Sequence, residues 1–221
     1  MENFHYITIA TQPHPILSNI QKRVEKNGEK IIVLGTHENR PIGWNATANF
    51  GVKLREVQQF VMQNTINEND IVLFTDAYDI IYTGNKETIL KRYHNFQKPI
   101  VFGCEMDCSP DPDMKIHYKN KEVQFPYLNS GMFIGRVWAI KKCMENYLYN
   151  DTNDDQRFWT KQFLTHPDLI ELDYENQLFL NTHGLDIEDI RWNRKDAFYK
   201  GTTPQFVHVN GPVKSDLNHF M

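Results

Sequence analysis

The chain has 221 residues, 40% of them hydrophobic and 13% aromatic, which excludes a disordered chain and allows one domain with a sizeable core. Its 24 Lys and Arg against 28 Asp and Glu leave a formal charge of -4, which excludes the basic surface of a non-specific nucleic-acid or anionic-membrane binder. A small anionic ligand stays compatible, provided a metal and local amides offset its charge.

The N-terminal MENFHYITIATQP has neither a basic n-region nor a long apolar h-region, so no signal peptide is expected. No stretch reaches the roughly 18 apolar residues of a membrane span. These features favour a cytoplasmic protein, and the wealth of Asn, Lys and Ile fits an AT-rich genome, including that of a virus acting in host cytoplasm. Cys104, Cys108 and Cys143 cannot all pair, and no second Cys/His pair follows CEMDC at zinc spacing. They read as reduced structural thiols. NAT at Asn45 and NDT at Asn150 are glycosylation sequons, relevant only in a secretory pathway.

In chain order, FHYITIATQ (4–12) reads as a strand. PILSNIQKRVEKNG (15–28) has helical spacing and stops at Gly28. EKIIVLGT (29–36) is a second strand. GVKLREVQQFVMQNTI (51–66) sets Leu54, Val57, Phe60 and Val61 on one helical stripe. DIVLFTD (70–76) is an almost wholly apolar strand, the pattern of a parallel strand covered on both faces. KETILKRYHNF (86–96) is a helix and PIVFGCE (99–105) another buried strand. YLNSGMFIGRVWAIKKCMENYL (127–148) reads as loop, strand and helix, DDQRFWTKQFL (154–164) as helix, and PQFVHVNGP (204–212) as a late strand with a turn. The alternation over residues 4–105 predicts an α/β fold, a Rossmann-like open and mostly parallel sheet flanked by helices, with residues 1–221 as a single domain. Ligands of such sheets bind at the carboxyl ends of the strands, where Thr11, Gly35, Asp76 and Glu105 fall.

Asp76 and Asp79 follow the most apolar strand, where carboxylates are costly without a cationic partner. Two carboxylates three apart across a strand-to-turn transition can converge on a cation. Oxygen ligands suit Mg²⁺ or Mn²⁺, and an added imidazole leans towards Mn²⁺. The alternative is that Asp76 caps the turn and Asp79 is solvated. His208, on an apolar strand, reads equally as a core histidine, and Lys214 as a surface lysine. Asp154 and Asp155 suit a helix N-terminus, where acids oppose the macrodipole. Asn129 suits a turn.

FTDAYDIIYTGNKETILKRY, YLNSGMFIG, DDQRFWTKQFL and FVHVNGPVK occur in that order, with ITIAT and GVKLREV before them. Together they resemble the glycosyltransferase domain of the multifunctional procollagen lysyl hydroxylases, over most of the chain. Nothing resembles the iron-dependent hydroxylase domain. The resemblance implies a GT-A type fold and an enzyme that uses Mn²⁺ and UDP-glucose. Its partner would be a collagen-like chain carrying galactosylhydroxylysine, glucosylated with retention. Asp76, Asp79 and His208 would be metal ligands. Tyr78 would stack its ring on uracil, beside Ile9, Ala10 and Thr11. The backbone of Asp76, Ala77 and Tyr78 would touch the nucleotide. Gly211, Pro212, Val213 and Lys214 would hold the diphosphate, and Lys53 would lie at the donor site. Asp154, Asp155, Asn129 and Glu105 would serve the acceptor side and the transfer step. Ser109 stands where some relatives have a tryptophan, so no aromatic gate is implied there. Two alternatives are a UDP-galactose-dependent hydroxylysine galactosyltransferase and a non-catalytic carbohydrate- or collagen-binding module. The intact Asp76, Asp79, His208 and Lys214 argue against the last.

Overall fold

A computed structural model describes residues 2–43, 49–120 and 122–221. The sequon at Asn45 lies outside them. Eleven strands and five α-helices are defined. In chain order they are β1 (Phe4–Ile9), α1 (Pro15–Lys26), β2 (Ile31–Leu34), α2 (Gly51–Val61), β3 (Ile71–Thr75), β4 (Ile80–Tyr82), α3 (Lys86–Tyr93) and β5 (Ile100–Glu105). Then follow β6 (Tyr127–Arg136), α4 (Val137–Met144), α5 (Asp155–Thr165), β7 (Ile170–Leu172), β8 (Phe179–Asn181), β9 (Arg191–Trp192), β10 (Ala197–Phe198) and β11 (Phe206–His208). No described helix is long and apolar enough to cross a membrane.

The main sheet runs β2-β1-β3-β6-β5-β7. Only β6 is antiparallel to its neighbours; every other pairing is parallel. β3 is apolar over 71–74 because both of its faces are covered, and its last residue, Thr75, is hydrogen-bonded to Tyr6. Val72 and Phe74 join a core under α2, α4 and α5 that includes Leu54, Val57, Phe60 and Trp159. Ile71 and Leu73 join the opposite core with Ile16, Ile20 and Val24 of α1 and Ile89 of α3. The four residues of the expected α2 stripe, Leu54, Val57, Phe60 and Val61, are all buried.

Several elements are shorter than the sequence suggests. β1 stops at Ile9 because Ala10 N–H turns to the Leu34 carbonyl, and Thr11 and Gln12 N–H turn to the Tyr78 hydroxyl. α2 ends at Val61, before the polar, turn-prone run 62–70. Conversely, the segment expected as a loop at 127–130 belongs to β6. A register shift opposite Phe102/Gly103 lets Tyr127, Leu128 and Asn129 continue the ladder with β5.

A second sheet, β4-β11-β8, packs on the α1 side. Tyr82 of β4 stacks on Phe206 of β11 at 4.8 Å. β8 is positioned by Asp173, whose buried carboxylate accepts the N–H groups of Gln177 (2.8 Å), Leu178 (2.6 Å) and Phe179 (2.9 Å). Burial pushes this carboxyl up to about 6 despite those bonds. Asp173→Ala strands three donors, each worth about 1–3 kcal/mol when buried and unpaired. We expect a loss of at least about 3 kcal/mol in urea unfolding; a loss under about 1 kcal/mol would show that Asp173 does not hold this turn.

Candidate active site

The end of β3 is fixed by Asp76 N–H, which donates to the Gly131 carbonyl of β6 at 2.8 Å. Four residues later β4 begins, antiparallel to β11 with His208 opposite Ile80. Val209 N–H donates to the Asp79 carbonyl at 2.9 Å, closing the corner. This pairing brings His208 to the acidic pair. His208 Nε2 lies 3.3 Å from Asp79 Oδ2 and 3.8 Å from Asp76 Oδ2. One ligand atom from each of the three residues lies within 4.8 Å of the others.

Two lysines flank the triad. Lys53 of α2 bridges Asp76 Oδ1 and Asp155 Oδ2, 2.7 Å from each. Lys214 donates to Asp79 Oδ2 and to the Val209 carbonyl, both at 2.7 Å. Burial would lower the Lys53 ammonium, but Asp155 and Asp76 outweigh it and raise its pKa. The two carboxylates part company. Burial and the nearby Asp79 push Asp76 up against the pull of Lys53. Burial would push Asp79 up too, yet His208 and Lys214 hold it below the ordinary range. Adjacent carboxylates resist joint ionisation, and a divalent cation removes that conflict.

The triad fits such a cation. Its two oxygens and one imidazole nitrogen suit Mn²⁺ or Mg²⁺. Gly131 leaves the space: a Cβ there would lie 2.4 Å from His208 Cε1 and 2.9 Å from Asp76 Oδ2. A second cluster, His37, Glu38 and Glu56, offers the same atom types. There Arg40 and Arg55 occupy Glu38, and Arg55 occupies Glu56. Guanidinium forks already take those lone pairs, so the chemistry favours the first cluster.

The triad opens into a cavity of about 610 Å³. Ile9, Lys53, Asp76, Ala77, Tyr78 and Asp79 line one side. Glu105, Ser109, Asn129, Asp154, Asp155 and Gln156 line another, and Gly211, Pro212 and Lys214 a third. Ala10, Thr11 and Val213 do not line it. Ala10 and Thr11 are buried behind Tyr78, and Val213 points to solvent, 55% exposed. Thr11 Oγ1 is a buried hydroxyl without a hydrogen-bond partner.

The acceptor-side residues take different positions. Asp154 caps α5, accepting Arg157 N–H at 2.9 Å. Asp155 turns inward to Lys53 and to the Ser130 hydroxyl (2.9 Å). Asn129 Oδ1 accepts Gly131 N–H at 2.9 Å, the local turn contact that its residue type suggests. Glu105 ends β5 facing the cavity and accepts from Asn210 Nδ2 (2.8 Å) and Gln156 Nε2 (3.1 Å). Burial pushes its carboxyl up to about 7. Gln156 is oriented in turn, because its Oε1 accepts Ser130 N–H at 2.6 Å. Sequence reasoning passed over Gln156, Asn210, Asn181 and Gly131. A glycine inside the apolar strand β6 was the readable signal, since it marks a close approach. Among the described residues the three cysteines are free and buried and none joins a metal cluster, consistent with structural thiols.

The model of the family described as the PLOD GT domain matches residues 1–221. The chain belongs to that family. It is a glycosyltransferase domain, and so an enzyme. Procollagen-lysine,2-oxoglutarate 5-dioxygenase 1 of Gallus gallus is 29% identical over 99% of the chain and 31% of its own length. The multifunctional procollagen lysine hydroxylase and glycosyltransferase of Caenorhabditis elegans is also 29% identical, over 96% of the chain and 31% of its length. The LH3 protein of Homo sapiens is 31% identical over 78% of the chain and 25% of its length. The chain thus spans about a third or less of these relatives. A solved glycosyltransferase involved in glycosylation of the major capsid of PBCV-1 superposes with a TM-score of 0.58 at 11% identity, covering 99% of this chain and 98% of that one. Mouse xyloside xylosyltransferase 1 gives 0.52 at 12% identity, covering 94% and 98%. The expected GT-A architecture is therefore present.

Proposed function

We propose that this domain transfers glucose from UDP-glucose to galactosylhydroxylysine of a collagen-like chain, with retention and with Mn²⁺ as cofactor. The observation that carries the reading is the Asp76–Asp79–His208 triad, flanked by Lys214 and opening into a cavity of about 610 Å³. Relatives named for procollagen lysine support the acceptor class. Asp76, Asp79 and His208 would hold the Mn²⁺, which would supply charge stabilisation for a diphosphate leaving group. Lys214 and the 211–213 turn add local positive charge and amides for the same phosphates. Tyr78 presents its ring to the base. Glu105 and Asp155 line the same cavity, and in this reading they serve the acceptor hydroxyl.

The Tyr78 side chain is fixed through its hydroxyl. The hydroxyl accepts Thr11 N–H (2.9 Å) and Gln12 N–H (3.0 Å) and donates to the Gln12 carbonyl (3.1 Å), fixing ring and loop together. Tyr78→Ala is therefore expected to weaken UDP binding by about 1–3 kcal/mol. Tyr78→Phe is expected to lose part of that, through the freed 11–12 backbone. Calorimetry with UDP decides: wild-type affinity in Tyr78→Ala would remove the ring from the site.

The function is tested with a UDP-sugar panel against peptides bearing hydroxylysine or galactosylhydroxylysine. Preferred glucose transfer to the galactosylated peptide is expected. Preferred galactose transfer to bare hydroxylysine would replace this reading.

A further inference from the structure

His208 reaches the acidic pair through Nε2, and its other ring nitrogen has a partner that no motif indicated. Nδ1 lies 2.8 Å from Asn181 Oδ1. Both residues end strands of the second sheet, and the parallel register of β8 and β11 sets them side by side. Asn181 is fully buried and His208 is 4% exposed, so no water competes for this contact.

The amide of Asn181 has one possible orientation. Its Nδ2 donates to the Cys104 carbonyl of β5 at 2.9 Å. A carbonyl only accepts, so the NH₂ end must face Cys104 and the oxygen must face His208. Gly103 leaves room for that amide, since a Cβ there would sit 3.1 Å from Nδ2. An amide oxygen also only accepts, so the proton between the two residues resides on Nδ1 of His208. With that proton on Nδ1, Nε2 is the ring nitrogen left to ligate a cation held between Asp79 and Asp76.

We propose that Asn181 is a positioning residue that locks His208 in the Nδ1–H tautomer and so makes Nε2 a metal ligand. The proposal rests on the reading of Asp76, Asp79 and His208 as a metal centre. Partners of this kind orient ligating histidines, and their loss costs about 10–100-fold in metal affinity. The chain of contacts runs from the β5 backbone through Asn181 to His208, so the main sheet sets the geometry of a ligand on the second sheet.

The test combines two readouts on metal-free and Mn²⁺-titrated protein. Long-range ¹H–¹⁵N spectra at a pH above the histidine range, assigned by difference with His208→Gln, are expected to show His208 protonated on Nδ1. Protonation on Nε2 in the wild type overturns the proposal without any variant. Mn²⁺ titration followed by electron paramagnetic resonance is expected to show about 10–100-fold weaker binding in Asn181→Leu. Asn181→Asp is expected to recover much of that affinity, because a carboxyl oxygen can still accept from Nδ1. Wild-type Mn²⁺ affinity in folded Asn181→Leu overturns the proposal. If Asn181→Leu does not fold, Asn181→Asp and the wild-type spectrum decide. Should wild-type protein bind no Mn²⁺, the metal reading fails, while the spectrum still reports the tautomer.

Discussion

Asp76→Ala and Asp79→Ala are each expected to cripple Mn²⁺-dependent transfer and leave the protein folded. Each removes one of the three proposed ligand atoms from a site where a metal would contribute several kcal/mol of charge stabilisation. At about 1.4 kcal/mol per tenfold, the expected loss in kcat/KM at limiting Mn²⁺ is about two to four orders of magnitude. The fold tolerates both changes for reasons visible in the contacts. Without Asp76, Lys53 keeps Asp155 at 2.7 Å. Without Asp79, Lys214, whose side chain is 47% exposed, turns to water and keeps the Val209 carbonyl. The Lys214–Asp79 pair, with its half-exposed lysine, is worth about 0–1 kcal/mol. Removing either carboxylate also relieves the repulsion between them. Thermal unfolding should therefore shift little while Mn²⁺ titration loses its high-affinity phase. Wild-type-like turnover at limiting Mn²⁺ in either variant would remove that residue from the metal site.

Gly131→Ala is the second large effect. The added Cβ would fall 2.4 Å from His208 Cε1, 2.8 Å from His208 Nδ1 and 2.9 Å from Asp76 Oδ2. None of these atoms is the free end of a flexible chain. His208 is held by Asn181 and by pairing on both sides of β11. Asp76 is held by Lys53 and by its N–H bond to the Gly131 carbonyl. Something must move by about an ångström, which costs about 1–3 kcal/mol as overpacking. The same movement separates two ligands, so Mn²⁺ affinity should fall by at least about tenfold. The paired readout is a modestly lower Tm together with a large loss in Mn²⁺ binding. A lower Tm with unchanged Mn²⁺ affinity would mean that the clash is absorbed away from the triad.

The main sheet was legible because a strand covered on both faces carries a continuous apolar run, as β3 does over 71–74 and β5 over 100–104. The α2 stripe was legible because its period matches a helix that buries one face. The second sheet was not. IIY, FLN and FVH are three-residue strands, too short to show any period, and only their mutual register places His208 beside Asn181 and Ile80. His208 therefore came from family resemblance and not from local pattern. Asp154 shows the opposite case: its residue type already announced a helix cap, and a cap it is. Its neighbour Asp155 turns inward to Lys53, a direction that no spacing rule distinguishes.

The central claim is that Asp76, Asp79 and His208 hold a metal that binds a UDP-sugar. Calorimetric titration of the full chain with UDP, with and without Mn²⁺, tests it most directly. The account predicts UDP binding that requires Mn²⁺, is lost in Asp79→Ala and weakens in Tyr78→Ala. UDP binding of equal strength without any divalent ion, or none in either condition, would contradict it.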